Sequence, residues 1–171
     1  MKKLITLILL AAVTSANAEL PYAGASVGYL IDSEEAYFAA RIGVDVAQVH
    51  GLTHSVEVEV GLASLDESGA GLDLIPVMAN YRLASVRERQ VGFYAGAGLG
   101  TARLKASVFG FDDSAWTFAA QAFGGVQYNV TPVMAITAGL RYIWVDDVDL
   151  YGSSIDVGDD VSVEVGVRFR F

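Results

Sequence analysis

The 171-residue sequence contains no cysteine, three prolines and two histidines, and no apolar stretch long enough to cross a bilayer as a helix. Each shortage excludes something. Without cysteine there is neither a disulfide framework nor a thiolate metal site. A spanning helix needs about 20 apolar residues, and the single apolar run, Leu4 to Val13, falls short of that. His50 and His54 are the whole supply of imidazole and stand four residues apart in sequence. Such a pair lacks further close ligands for a metal, and an ordinary turn or interfacial role outweighs a part in a nucleophilic triad. No cofactor and no catalytic residue is therefore expected, and a net charge of −9 points away from nucleic acid.

What is present is apolar residue in quantity but dispersed. The chain is 53% hydrophobic with positive mean hydropathy, yet its apolar residues are interleaved with glycine and charge. At the start, Lys2 and Lys3 precede the apolar run, and Ala16-Asn17-Ala18 closes it. That is the pattern of a cleavable signal peptide for Sec-type export. Residues 1–18 are expected to be removed, leaving one domain over 19–171.

Alternation dominates this domain. Val161, Val163, Val165, Val167, Phe169 and Phe171 alternate with Ser162, Glu164, Gly166, Arg168 and Arg170. Successive side chains of a strand point to opposite faces, so one face is apolar and the other polar. The pattern recurs in eight segments: 22–31, 37–47, 54–64, 73–83, 91–103, 115–128, 133–145 and 160–171. Each is near the 9 to 11 residues that a tilted strand needs to cross a bilayer. Phe38, Ala40, Ile42, Val44 and Val46 are expected outward in the second segment, and Met134, Ile136, Ala138, Leu140, Tyr142 and Trp144 in the seventh. A slip of one residue would drive the intervening charges into lipid. Inward glycines in Tyr22-Ala23-Gly24-Ala25-Ser26-Val27-Gly28 and Tyr94-Ala95-Gly96-Ala97-Gly98-Leu99-Gly100 make room for large neighbours inside a narrow barrel.

The expected fold is all-β, an eight-stranded antiparallel up-and-down transmembrane barrel, since only a closed barrel satisfies the backbone of such strands in lipid. Trp116 and Trp144 near one end, and Tyr81, Tyr128, Phe169 and Phe171 near the other, fit interfacial girdles. The connections at the outer end are acidic, with Asp32, Glu34, Glu35, Asp66, Glu67, Asp73, Asp112, Asp113, Asp146, Asp147, Asp149, Asp156, Asp159 and Asp160. Such acids solubilise loops, or bind divalent cations that bridge lipopolysaccharide phosphates, but no specific calcium loop is present. A soluble lipocalin-like barrel with apolar residues turned inward is the competing fold.

The inward positions collect Arg41, Asp45, Glu57, Glu59, Arg82, Arg141, Glu164, Arg168 and Arg170, with Asn80, Gln121 and Gln127 among them. Both signs occur in similar numbers, as a plug of paired charges requires. The alternative use of the same residues is a small, weakly cation-preferring channel.

The sequence resembles the small outer-membrane β-barrel family that includes the OmpA transmembrane domain and OmpX-like proteins. The resemblance rests on Ser55-Val56-Glu57-Val58-Glu59-Val60-Gly61, Gly92-Phe93-Tyr94-Ala95-Gly96-Ala97-Gly98-Leu99-Gly100, Gly124-Gly125-Val126-Gln127-Tyr128, Gly139-Leu140-Arg141-Tyr142 and Val167-Arg168-Phe169-Arg170-Phe171. It implies an outer-membrane protein in contact with lipid and lipopolysaccharide, monomeric, with a structural or surface-interaction role. It also implies that Val165, Val167, Phe169 and Phe171 form the signal read by the barrel-assembly machinery. Some barrels of this size modify lipid A, but their histidine lies near the outer leaflet, whereas His50 and His54 fall at the first inner turn. The chain departs from OmpA in having no periplasmic domain after the last strand, so peptidoglycan anchoring is not implied.

Overall fold

The computed structural model describes residues 19–67, 70–85, 90–108, 111–150, 153–155 and 158–171. The expected signal segment and Asp156 lie outside the described residues. Ten strands form among the described residues: β1 (Glu19–Leu30), β2 (Glu35–Val49), β3 (Leu52–Glu67), β4 (Ala70–Ser85), β5 (Val91–Val108), β6 (Phe111–Asn129), β7 (Met134–Val145), β8 (Val148–Leu150), β9 (Ser153–Ile155) and β10 (Asp159–Arg170). Eight of them close into an antiparallel barrel in the order β1-β10-β7-β6-β5-β4-β3-β2, while β8 and β9 pair only with each other in the connection between β7 and β10.

Closure is continuous. β1 pairs with β2 on one side, Tyr22 opposite Gly43, and with β10 on the other, Tyr22 opposite Arg170. Phe171 N–H donates to the Pro21 carbonyl at 2.9 Å, extending the seam past the end of β10. Among the described residues each barrel strand pairs with a neighbour on both sides, the condition for strands in hydrocarbon.

The eight sequence segments correspond to the barrel strands, with two corrections. First, the strands run further outward than alternation indicated. β3 and β4 pair out to Glu67 opposite Ala70, and β5 and β6 out to Val108 opposite Phe111. Asp66, Glu67, Asp73, Asp112 and Asp113 therefore lie in strands rather than loops, because backbone pairing continues past the apolar band into the aqueous zone. Second, β2 carries a bulge between Asp45 and Ala47, which leaves Val46 out of register with β3. At the inner end of this hairpin, His50 (φ 52°) and Gly51 (φ 77°) are both left-handed and join Val49 directly to Leu52. Two positive φ values in a two-residue loop match the right-handed twist of the flanking strands.

The faces follow the expected parity. Ile42 is 61% exposed and Leu140 57%, whereas Asp45, Glu57, Glu59 and Arg141 are each 1% exposed. Apolar outside and charged inside is the reverse of a soluble ligand carrier. Trp116, Trp144, Tyr81, Tyr128, Phe169 and Phe171 are all exposed on the outer surface, the placement that interfacial girdles require.

Inward aromatics sit against glycines of neighbouring strands. A Cβ on Gly43 would meet the Tyr22 ring at 2.7 Å, and one on Gly96 would lie 2.5 Å from Phe123 Cζ and 2.6 Å from the Tyr81 carbonyl oxygen. Gly96→Val is thus expected to cost about 1–3 kcal/mol by overpacking, read as a lower urea midpoint in lipid vesicles. Adding Phe123→Leu is expected to recover only part, because the Tyr81 backbone stays in place.

Candidate functional site: the charged lumen

Alternation on β2, β3, β4, β6, β7 and β10 aims one polar side chain in every two residues at the barrel axis, and closure brings those chains together. Two layers result. In the upper layer Arg141 lies between two carboxylates. Its Nε donates to Glu164 Oε1 at 2.5 Å, and its Nη1 donates to Glu59 Oε1 at 2.6 Å and to the Gln121 side-chain oxygen. Its Nη2 reaches the remaining oxygen of each carboxylate at 3.2 Å. Arg41 joins from the opposite wall, with Nε 3.2 Å from Glu59 and Nη2 3.7 Å from Glu164. Gln121 donates to Glu59 at 3.1 Å and to Asn80 Oδ1 at 2.7 Å, while Ser26 and Ser162 donate to Glu164.

The lower layer is built around Asp45 and Glu57. Asp45 accepts from Ser55 at 2.7 Å, from Arg168 at 2.9 Å and from Arg170. Glu57 accepts from the Tyr22 hydroxyl at 2.6 Å and lies 3.9 Å from Arg82 Nε. Arg82 also donates to Gln127 at 3.0 Å. All nine charged positions assigned inward from sequence lie in this network, together with Asn80, Gln121 and Gln127.

Sequence reasoning missed two groups. The first is aromatic: the Arg168 guanidinium lies 3.6 Å from the Tyr22 ring centroid, Arg82 4.6 Å from Tyr94, and Arg141 5.5 Å from Tyr37 and 5.4 Å from Phe123. Desolvated cation–π contacts are among the stronger of their kind. Tyr22 and Tyr94 share parity with the inward glycines of their strands, and that signal would have placed them. The second group is an apolar plug at the outer end of the lumen, where Leu30, Met78, Leu104, Ile143 and Val145 pack in one buried cluster. Met78 shares parity with Asn80 and Arg82, and Ile143 with Arg141.

A cavity of about 10 Å³ lies among Arg41, Glu57, Arg82, Tyr94 and Arg168, and another of about 30 Å³ lies near Leu30, Leu74 and Asp160. These hold one or a few waters. At the outer rim the buried Asp160 carboxylate accepts the backbone N–H groups of Asp32 and Ser33 at 3.1 and 2.9 Å, tying the first outer connection to β10. His50 is in the inner turn, and His54 Nδ1 lies 2.5 Å from the Tyr81 hydroxyl. Val165, Val167, Phe169 and Phe171 all lie exposed on the outward side at the barrel's final strand.

An eight-stranded barrel with an apolar exterior and an ion-paired interior is a membrane-spanning β-barrel of the smallest common size. Residues 4–169 match the outer membrane protein beta-barrel domain family. The chain belongs to that family and is an outer-membrane β-barrel protein. No curated protein matches it in sequence.

Solved structures share the fold at low identity. Neisserial surface protein A is 19% identical with a TM-score of 0.69, covering 91% of this chain and 99% of its own. The attachment invasion locus protein of Yersinia pestis, solved with the heparin analogue sucrose octasulfate, is 17% identical with a TM-score of 0.56, covering 89% and 97%. The outer membrane enzyme PagL is 11% identical with a TM-score of 0.54, covering 88% and 99%. One barrel architecture thus carries surface proteins and an enzyme, so the fold by itself does not assign a role.

Proposed function

We propose that this barrel is a non-conducting structural or surface-interaction protein of the outer membrane. The observation that supports this reading is the dense set of ion pairs and buried apolar side chains on the inward face. Ion-paired arginines occupy the lumen's inner and middle parts, the apolar cluster of Leu30, Met78, Leu104, Ile143 and Val145 lies across its outer part, and the cavities beside them are small. Ion conduction needs a continuous polar path with sites weak enough to leave. Arg141, held by two carboxylates and an amide, is the opposite of a weak site.

The remaining parts of the reading are consistent with this. Removal of residues 1–18 follows Sec-type export, and the outward ladder of Val165, Val167, Phe169 and Phe171 is presented to the assembly machinery. On the outer part of β5, Arg103 and Lys105 project from the membrane-facing side, opposite Trp116 and Ser114 of β6. Two cations beside an interfacial tryptophan suit lipopolysaccharide phosphates. A non-enzymatic role is supported by the histidines, which lie at the inner end, away from lipid A.

Planar-bilayer recording tests the proposal. The purified barrel is expected to give no reproducible unitary steps. Steps that appear in the unaltered chain and vanish on changing Arg141 or Glu57 would overturn it in favour of the channel.

A further inference from the structure

The two layers of the lumen differ in charge balance. In the upper layer two guanidiniums, Arg41 and Arg141, face two carboxylates, Glu59 and Glu164. In the lower layer three guanidiniums, Arg82, Arg168 and Arg170, face two, Asp45 and Glu57. Among the described inward side chains the lower layer therefore has one cation more than it has acids. Arg170 ends β10 at the inner mouth and shares Asp45 with Arg168, so the surplus falls on the deeper pair, Arg82 and Arg168. Their side chains are 3% and 8% exposed. An unbalanced charge at that depth, behind a wall that faces hydrocarbon, is strongly unfavourable.

Arg82 and Arg168 line one cavity of about 10 Å³, together with Arg41, Glu57, Tyr94 and Thr137. Three guanidiniums and one carboxylate surround it, so its potential is positive. Arg82 is fixed there: its Nη2 donates to Gln127 at 3.0 Å, its Nε is 3.9 Å from Glu57, and its plane lies 4.6 Å from the Tyr94 ring centroid. Its Nη1 is buried and has no hydrogen-bond partner among the described residues, and the same holds for Arg168 Nε.

We propose that this cavity binds one monatomic anion, chloride under ordinary conditions, as the buried counter-ion of the lower layer. A volume of about one water is too small for phosphate or a carboxylate. Water itself could bridge Arg82 Nη1 and the free Oε2 of Glu57, but it would leave the surplus charge in place. The Glu57 carboxylate opposes an anion, yet it is outnumbered by the cations around the cavity, and its Oε1 already accepts from the Tyr22 hydroxyl at 2.6 Å. The Thr137 hydroxyl adds a neutral donor on the β7 side. The ion is a constituent of the packed layer, and the assignment stands whether or not the barrel conducts.

Crystals of the native barrel grown in sodium bromide test the site directly. One anomalous bromide peak is expected in contact with Arg82 Nη1 and the Thr137 hydroxyl. A water at that position with no anomalous signal, or bromide found only on the protein surface, would overturn the proposal.

Urea unfolding of the full chain in lipid vesicles tests the energetics. Chloride is raised from about 0.03 to about 0.3 M while gluconate, too large for the cavity, keeps the ionic strength and hence the screening constant. An ion bound only by the folded state raises the folded-to-unfolded ratio in proportion to its concentration. The native barrel should therefore gain close to tenfold, or about 1.4 kcal/mol. Arg82→Gln removes the surplus cation and should abolish the gain. Thr137→Asp sets a fixed carboxylate in the cavity and should abolish it too, which keeps the test decisive should Arg82→Gln fail to fold. A gain below about twofold in the native chain, or a full gain retained by Thr137→Asp, would overturn the proposal.

Discussion

Arg141→Ala is expected to lower the stability of the barrel by about 3–5 kcal/mol, the cost of breaking a buried ion pair from one side. The magnitude follows from what remains. Glu59 and Glu164 each lose a guanidinium partner at 2.6 and 2.5 Å, while their side chains stay 0% and 8% exposed. Arg41 remains within 3.2 Å of Glu59 and 3.7 Å of Glu164, but one cation then faces two carboxylates. Arg141→Lys should recover only part, because an ammonium is a point charge and cannot donate in a fork to both carboxylates. The quadruple variant Arg41→Gln/Arg141→Met/Glu59→Gln/Glu164→Gln should recover most of the loss, since Arg41 pairs with the same two carboxylates and replacing all four charges leaves none unpaired. Urea unfolding in lipid vesicles, followed by the change in gel mobility between unboiled and boiled samples, measures each step. A loss under about 1 kcal/mol for Arg141→Ala would mean that water reaches this layer and that the lumen is not sealed there.

The contrast between what alternation revealed and what it hid has a physical cause. Strand parity is local, so Glu57, Glu59 and Arg141 could be assigned inward from their own neighbours. Which charges meet is not local. Glu59 and Arg141 are 82 residues apart and come together only when β1 and β10 close the barrel with a definite stagger. The outer lengths of β3 to β6 were hidden because the apolar band ends while backbone pairing continues. The apolar plug was hidden because Leu30, Leu74 and Leu104 read as breaks in alternation, although each is buried. The inner turn at His50 was legible, but its tight two-residue form was not, because it needs left-handed backbone at His50 as well as at Gly51.

Register and depth are tested together by charge placed on the outer face. Leu140→Arg is expected to cost about 2–4 kcal/mol in lipid vesicles, the depth-dependent penalty for arginine near the bilayer midplane. Leu140 is 57% exposed on the outer surface, six residues along β7 from Met134, which places it near half height. Its strand neighbours are Gly124 and Val163, neither of which offers an acid. Val91→Arg is the companion measurement. Val91 is also outward and 62% exposed, but it opens β5 at the inner end, where a long side chain reaches the headgroups and the penalty falls to about 0–1 kcal/mol. For a soluble carrier both would be ordinary surface substitutions, each within about 0.5 kcal/mol. The difference between the two variants therefore reports depth. Equal small costs would place this face in water, and equal large costs would mean that the inner end of β5 lies deeper in the hydrocarbon than the register assigns. The expected gradient from Val91 to Leu140 requires both the outward parity of these strands and their tilt through the membrane.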